Sequence, residues 1–168
     1  MAAPLPRSGA VVAARAIAGF VLLLAAHFAV RPLIASRANV DFLLIAILFA
    51  AVRVRPGFAA VLGLLAGLAV DALAPGAFGA AALALVAVSF AASRVKAVFF
   101  ADHVALTGLF VFLGKLVFDA LYQAANGGVR GMGLVVQMLL WTPLSAALTA
   151  AVAIVLLTMF KPLYRPSA

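Results

Sequence analysis

All four acidic residues in this 168-residue chain are aspartates, at positions 41, 71, 102 and 119. Glutamate and cysteine are absent, and the histidines are His27 and His103. Two of these acids fall inside long apolar runs. Asp71 interrupts the stretch from Gly57 to Leu83. On a helix it shares a face with Gly63 and Gly67, at spacing i, i+4, i+8. Asp119 lies four residues after Lys115, inside a second apolar run. A charge deep in hydrocarbon costs roughly 3 kcal/mol or more, so it needs a partner or a role. Small residues at i and i+4 let a neighbouring helix approach closely, so Asp71 should point at protein.

Three chemistries fit such charges: an ion pair that fixes a helix bundle, a proton or ion pathway, and a polar contact to a partner's membrane helix. The depths favour the ion pair. At 1.5 Å rise per residue, Asp71 lies about 20 Å along its span and Lys115 roughly 18 Å along its own. The expectation is that Lys115 bridges Asp71 and Asp119, pinning the two spans together. The span carrying Gly63, Gly67 and Asp71 is expected to be the one around which the others pack.

Catalytic sets do not emerge. No Ser, His and Asp cluster plausibly, and there is no Walker loop, dinucleotide fingerprint or HExxH helix. His27 reads as a neutral imidazole bonded to a nearby carbonyl, with a proton relay as the alternative. It has no companions at metal-ligand spacing. No cofactor and no metal are expected.

The elements that carry these residues follow from composition. Hydrophobic residues make up 68% of the chain, charged ones 10%, and the mean hydropathy is +1.30. Soluble domains are about 45–50% apolar and about 25% charged, so a lipid bilayer is the natural solvent here. The net charge of +8 does not indicate nucleic acid. The basic residues, Lys115 apart, sit at the ends of apolar runs, where topology and anionic headgroups explain them.

An all-α bundle of six transmembrane helices is predicted, with spans at about 16–34, 40–53, 58–73, 78–95, 103–125 and 134–160. Residues 1–14 and 161–168 are read as cytoplasmic tails, the first of them disordered, around a single domain over 15–160. Arg31-Pro32 stops the first span. Ser36 or Asn39 caps the second, with Asp41 in its first turn, where the helix dipole favours an anion. Ala74-Pro75-Gly76 turns the chain after the third. Ser89 and Ser93 are expected to bond back to their own helix. Asp102 caps the fifth span, and Asn126-Gly127-Gly128 follows it. In the last span Pro143 should kink the helix or split off a short leading piece. Thr142, Ser145 and Thr149 form a weakly polar stripe there.

With the N-terminus inside, Arg7, Arg15, Arg53, Arg55, Arg94, Lys96, Lys161 and Arg165 face the cytoplasm, against Arg31, Arg37 and Arg130 outside. Eight against three places both termini in the cytoplasm.

The order of features from Asn39 to Val95 resembles the bacterial rod shape-determining MreD family. Asn39-Val-Asp41-Phe-Leu-Leu opens the second span, and a basic turn follows at Arg53 and Arg55. Then comes Gly63-Leu-Leu-Ala-Gly67-Leu-Ala-Val-Asp71-Ala-Leu, with Pro75-Gly76 and Phe78-Gly79 after it. The family's proline before the first acid is replaced here, and Lys115 matches no position of its pattern. The resemblance implies a non-enzymatic subunit of the cell-elongation machinery in the bacterial inner membrane. Such a subunit pairs with MreC, a single-span protein with a periplasmic domain. Together they link MreB filaments to the polymerase RodA and its transpeptidase. The family is also similar in fold to the S-components of energy-coupling-factor vitamin transporters. A vitamin-type transporter subunit is therefore the competing reading, with Asn39, Asp41, Gln123, Asn126 and Gln137 as its few pocket candidates. A membrane enzyme using Asp71 or Asp119 is a third.

Overall fold

A computed structural model describes residues 9–30, 40–73, 77–99, 104–127 and 131–164. Every regular element among them is helical. Helix α1 is Gly9–Val30, α2 Phe42–Ala51, α3 Pro56–Leu73, α4 Ala80–Phe99 and α5 Val104–Asn126. A short α6, Met132–Val136, runs through a π-helical turn, Gln137–Trp141, into α7, Thr142–Tyr164. Three helical stretches are long and apolar enough to cross a membrane: Pro56–Leu73, Val104–Asn126 and Met132–Thr158. Helix α2 and the Ala80–Val95 part of α4 are apolar but shorter.

Several boundaries differ from the sequence reading: α4 continues to Phe99, past the expected end at 95, and α7 to Tyr164, into the stretch read as a tail. The leading tail is already helical from Gly9. The second span is only ten residues long. Several expected features lie outside the described residues: Arg31-Pro32, the caps Ser36, Asn39 and Asp102, and the turn Ala74-Pro75-Gly76.

The break expected at Pro143 is a widening of the helix. Proline has no amide hydrogen to return to the carbonyl four residues back. Just ahead of it the Thr142 amide bonds to the Gln137 carbonyl, a five-residue step. Such π turns appear singly inside α-helices.

The centre of the bundle is α2, not the glycine-bearing α3. Leu43, Leu44, Ile45, Ala46, Ile47 and Leu48 are consecutive and all buried. A helix that is hydrophobic all round is an interior helix. Helices α1, α3, α4, α5 and α7 all touch it. Helix α3 is peripheral: it buries a single stripe, Ala59, Gly63, Gly67 and Asp71, while Phe58, Leu65 and Leu73 are exposed.

That stripe lies against α4. A Cβ on Gly63 would fall within 3.0 Å of the Leu85 carbonyl and Ser89 Oγ. One on Gly67 would fall equally close to the backbone of Ala82. The two backbones therefore touch at these glycines, as small residues permit. Across the bundle Gly108 of α5 faces Ile154 of α7, and Gly114 of α5 faces Leu48. Ser89 bonds back to the Val86 carbonyl of its own helix, as expected. Ser93 does not: its hydroxyl donates 2.8 Å to the Val54 carbonyl, tying α4 to the turn after α2.

Candidate functional site

Most of the buried charged and polar groups, Ser89, Ser93 and Thr107 apart, form a connected network. His27 is near the end of α1, and Asp41 begins α2. Asp71 is near the end of α3, with Gly79 to Ala82 opening α4 beside it. Lys115 stands at the middle of α5 with Asp119 one turn beyond, and Thr149 is in the second turn of α7. The hydrogen bonds between them connect every one of these helices.

Asp71 is buried, and it faces α4. Its carboxylate accepts from the Gly79 amide at 3.1 Å, the Ala81 amide at 3.0 Å and the Ala82 amide at 3.0 Å. These amides belong to the first turn of α4 and its lead-in, which have no partners within their own helix. The acid is thus a cap supplied by the preceding helix. It satisfies the amides and places negative charge at the positive end of the α4 dipole. The expected Asp71–Lys115 bridge is not formed. Lateral neighbourhood decides: α3 packs on α4, and α4 lies between it and α5.

Lys115 turns instead to the central helix. Its ammonium lies 3.2 Å from Asp41 Oδ2 and 2.6 Å from Asp119 Oδ1. The Asp119 half of the expected bridge is therefore present. Lys115 is 8% exposed through its side chain, Asp41 14% and Asp119 18%, so water screens this triad little. The ammonium also sits 5.0 Å from the centroid of the Phe118 ring. A cation over an aromatic face gains further stabilisation when desolvated.

Asp41 has more duties than the sequence reading gave it. It is the N-cap of α2, accepting from the Leu44 amide at 3.2 Å. Its own amide donates to Thr149 Oγ1 at 3.2 Å, while that hydroxyl donates to the Ser145 carbonyl at 2.8 Å. The same oxygen that caps α2, Oδ1, lies 3.4 Å from His27 Nδ1, while Oδ2 faces Lys115. One residue thus joins α1, α5 and α7 to the start of α2.

For His27, one partner is a backbone amide. Nδ1 accepts from the Leu43 amide at 3.3 Å. Neutral Nδ1 suits that bond, and protonated Nδ1 suits Asp41. The signals for this cluster were in the sequence, but only as types. A lone lysine in an apolar run requires an acid, but helical spacing does not say which of the four aspartates stands beside it. The N-cap position by itself accounts for Asp41 and carries no sign of the second partner.

Among the described residues, no group of three His, Cys, Asp or Glu side chains converges as a metal site would need. Nor does any buried side-chain nitrogen or oxygen there lack a hydrogen-bond partner. Two of the transporter-pocket candidates make internal contacts: Asp41 in the triad, and Asn126, whose Oδ1 accepts from the Ala77 amide at 3.0 Å; Asn39 lies outside the described residues, and Gln137 lines an open cavity with Met132, Gly133, Val136 and Trp141. What this arrangement does chemically is hold helices in register by charge and hydrogen bonding. No family of known proteins, no curated protein and no solved structure matches the chain.

Proposed function

We propose that the protein is a multi-pass scaffold subunit of the bacterial inner membrane, without catalytic activity of its own, serving the cell-elongation machinery. Six helical passes with both termini in the cytoplasm give it the topology of the positive-inside count. Its partner is an MreC-like single-span protein, and through it MreB filaments and the RodA–transpeptidase pair.

The observation that carries this reading is where the two motif acids go. The resemblance rests on Asp41 and on the Gly63–Gly67–Asp71 stripe. Asp71 caps α4, and the glycines seat α3 on it. Asp41 holds Lys115 and caps α2. Both motifs act on architecture. Large apolar side chains are left facing outward on α3, α5 and the α6–π segment, among them Leu65, Val117 and Leu139. Such faces suit lipid and a partner's membrane helix.

Purification from native membranes in mild detergent, with identification of what accompanies the chain, tests the proposal. A single-span protein with a large extracytoplasmic domain supports it, as do round, swollen cells on deletion. Co-purification of an ATPase pair with a helical membrane subunit points to transport instead. A deletion strain that stays rod-shaped and yields no single-span partner overturns the scaffold reading.

A further inference from the structure

The geometry points to a binding groove for one acyl chain of an anionic phospholipid, between α4 and α5, with its headgroup at Arg94. The inference rests on the membrane embedding in the proposed function and not on the identity of any protein partner.

The groove has a volume of about 190 Å³ and an almost wholly apolar lining. Its floor is buried, formed by Leu48, Val88 and Phe110, and its rim is exposed, formed by Val95, Leu113 and Val117. A buried floor under an exposed rim opens sideways, toward the surroundings of the bundle. From Phe110 to Val117 it runs about 10 Å along α5, in the seam between two helices that pack against each other, a shape that takes one hydrocarbon chain lengthwise.

Charge fixes which end meets the headgroup. The Val95 end lies beside Arg94, whose guanidinium is held over the Phe90 ring at 5.2 Å from the centroid. The Ser93–Val54 hydrogen bond brings the turn after α2 to the same end, and there Arg53 and Arg55 are exposed. The opposite end, at Val88 and Val117, is apolar. A chain entering at Arg94 runs from a cationic rim into the hydrocarbon interior. Basic groups near a membrane surface attract anionic headgroups by about 1 kcal/mol each. Arg94 should therefore give about a fivefold preference.

The test is native mass spectrometry of the full-length detergent-solubilised protein, titrated with phosphatidylglycerol or phosphatidylcholine of identical chains. The wild type is expected to retain phosphatidylglycerol at least fivefold better. Arg94→Gln should lower that preference about fivefold and leave chain binding in place. Ala91→Phe, which fills the groove from its exposed rim, should reduce retention of both lipids more than tenfold. Ala91→Leu serves if the phenylalanine variant does not fold, with a smaller loss of the same kind. Equal retention of the two lipids by the wild type overturns the proposal. So does a well-folded Ala91 variant that binds lipid as before, including one that instead loses a cross-link to another protein's helix. Release of the chain from membranes by alkaline washing without detergent would refute the membrane embedding itself, an outcome distinct from any of these.

Discussion

Lys115 and Asp41 are 74 positions apart in the chain, yet their side chains meet at 3.2 Å at the head of the central helix. This contact joins the fifth helix to the second, and Asp119 completes it from the far side of the ammonium. Removing one partner of a buried ionic group costs about 3–5 kcal/mol, because the remaining charge loses its compensation. Lys115→Met keeps the stem and deletes the charge. We expect it to lower the detergent-solubilised melting temperature sharply and reduce the amount in membranes. Asp119→Asn, which leaves Asp41 in place, should cost less. Equal melting of Lys115→Met and wild type would refute the pin.

Asp71→Ala should loosen the first turn of α4 specifically. The carboxylate serves three amides there. Losing an N-capping side chain costs about 0.5–2 kcal/mol, and bonds to a charged group are worth about 1.5–3 kcal/mol each. Hydrogen exchange read by mass spectrometry should show faster exchange at residues 79–82 while α5 stays protected. Asp71→Asn should fall between, since its amide group adds donors where donors already converge. If Lys115→Met and Asp71→Ala show the same exchange pattern, Asp71 and Lys115 do not act on separate partners.

Gly67→Val and Gly19→Ala make a matched test of close helix approach. A side chain at Gly67 meets the Ala82 backbone, whereas one at Gly19 meets nothing within 4 Å. Overpacking costs about 1–3 kcal/mol, and the backbone at Ala82 cannot rotate away as a side chain would. Gly67→Val should therefore lower the melting temperature. Gly19→Ala should leave it unchanged or raise it, by up to about 1 kcal/mol of helix propensity. Equal effects at both positions would contradict the α3–α4 contact.

Thr149→Val removes the hydroxyl that receives the Asp41 amide while keeping the shape of the side chain. The hydroxyl is fully buried and also bonds the Ser145 carbonyl. An unsatisfied buried donor costs about 1–3 kcal/mol. We expect a stability loss of that size. Thr149→Ser, which keeps the hydroxyl, should recover most of it. If serine and valine behave alike, packing and not the hydrogen bond explains this position.

Sequence alone determined the helical class, the placement of most helices and the apolar character of three long stretches, because length and hydropathy are local properties. It also determined that Gly63, Gly67 and Asp71 share a buried face, since helical spacing alone puts them there. The disturbance near Pro143 was legible for a similar reason: a missing amide hydrogen acts on its own turn. Only the tertiary structure decided which charges meet. Depth along a helix follows from counting residues, but lateral neighbourhood depends on which helix stands between two others. Helix α4 stands between α3 and α5, so Asp71 finds backbone amides and Lys115 finds Asp41. The same lateral packing made the ten-residue α2 the centre, because a helix apolar all round is one that neighbours can cover on every side.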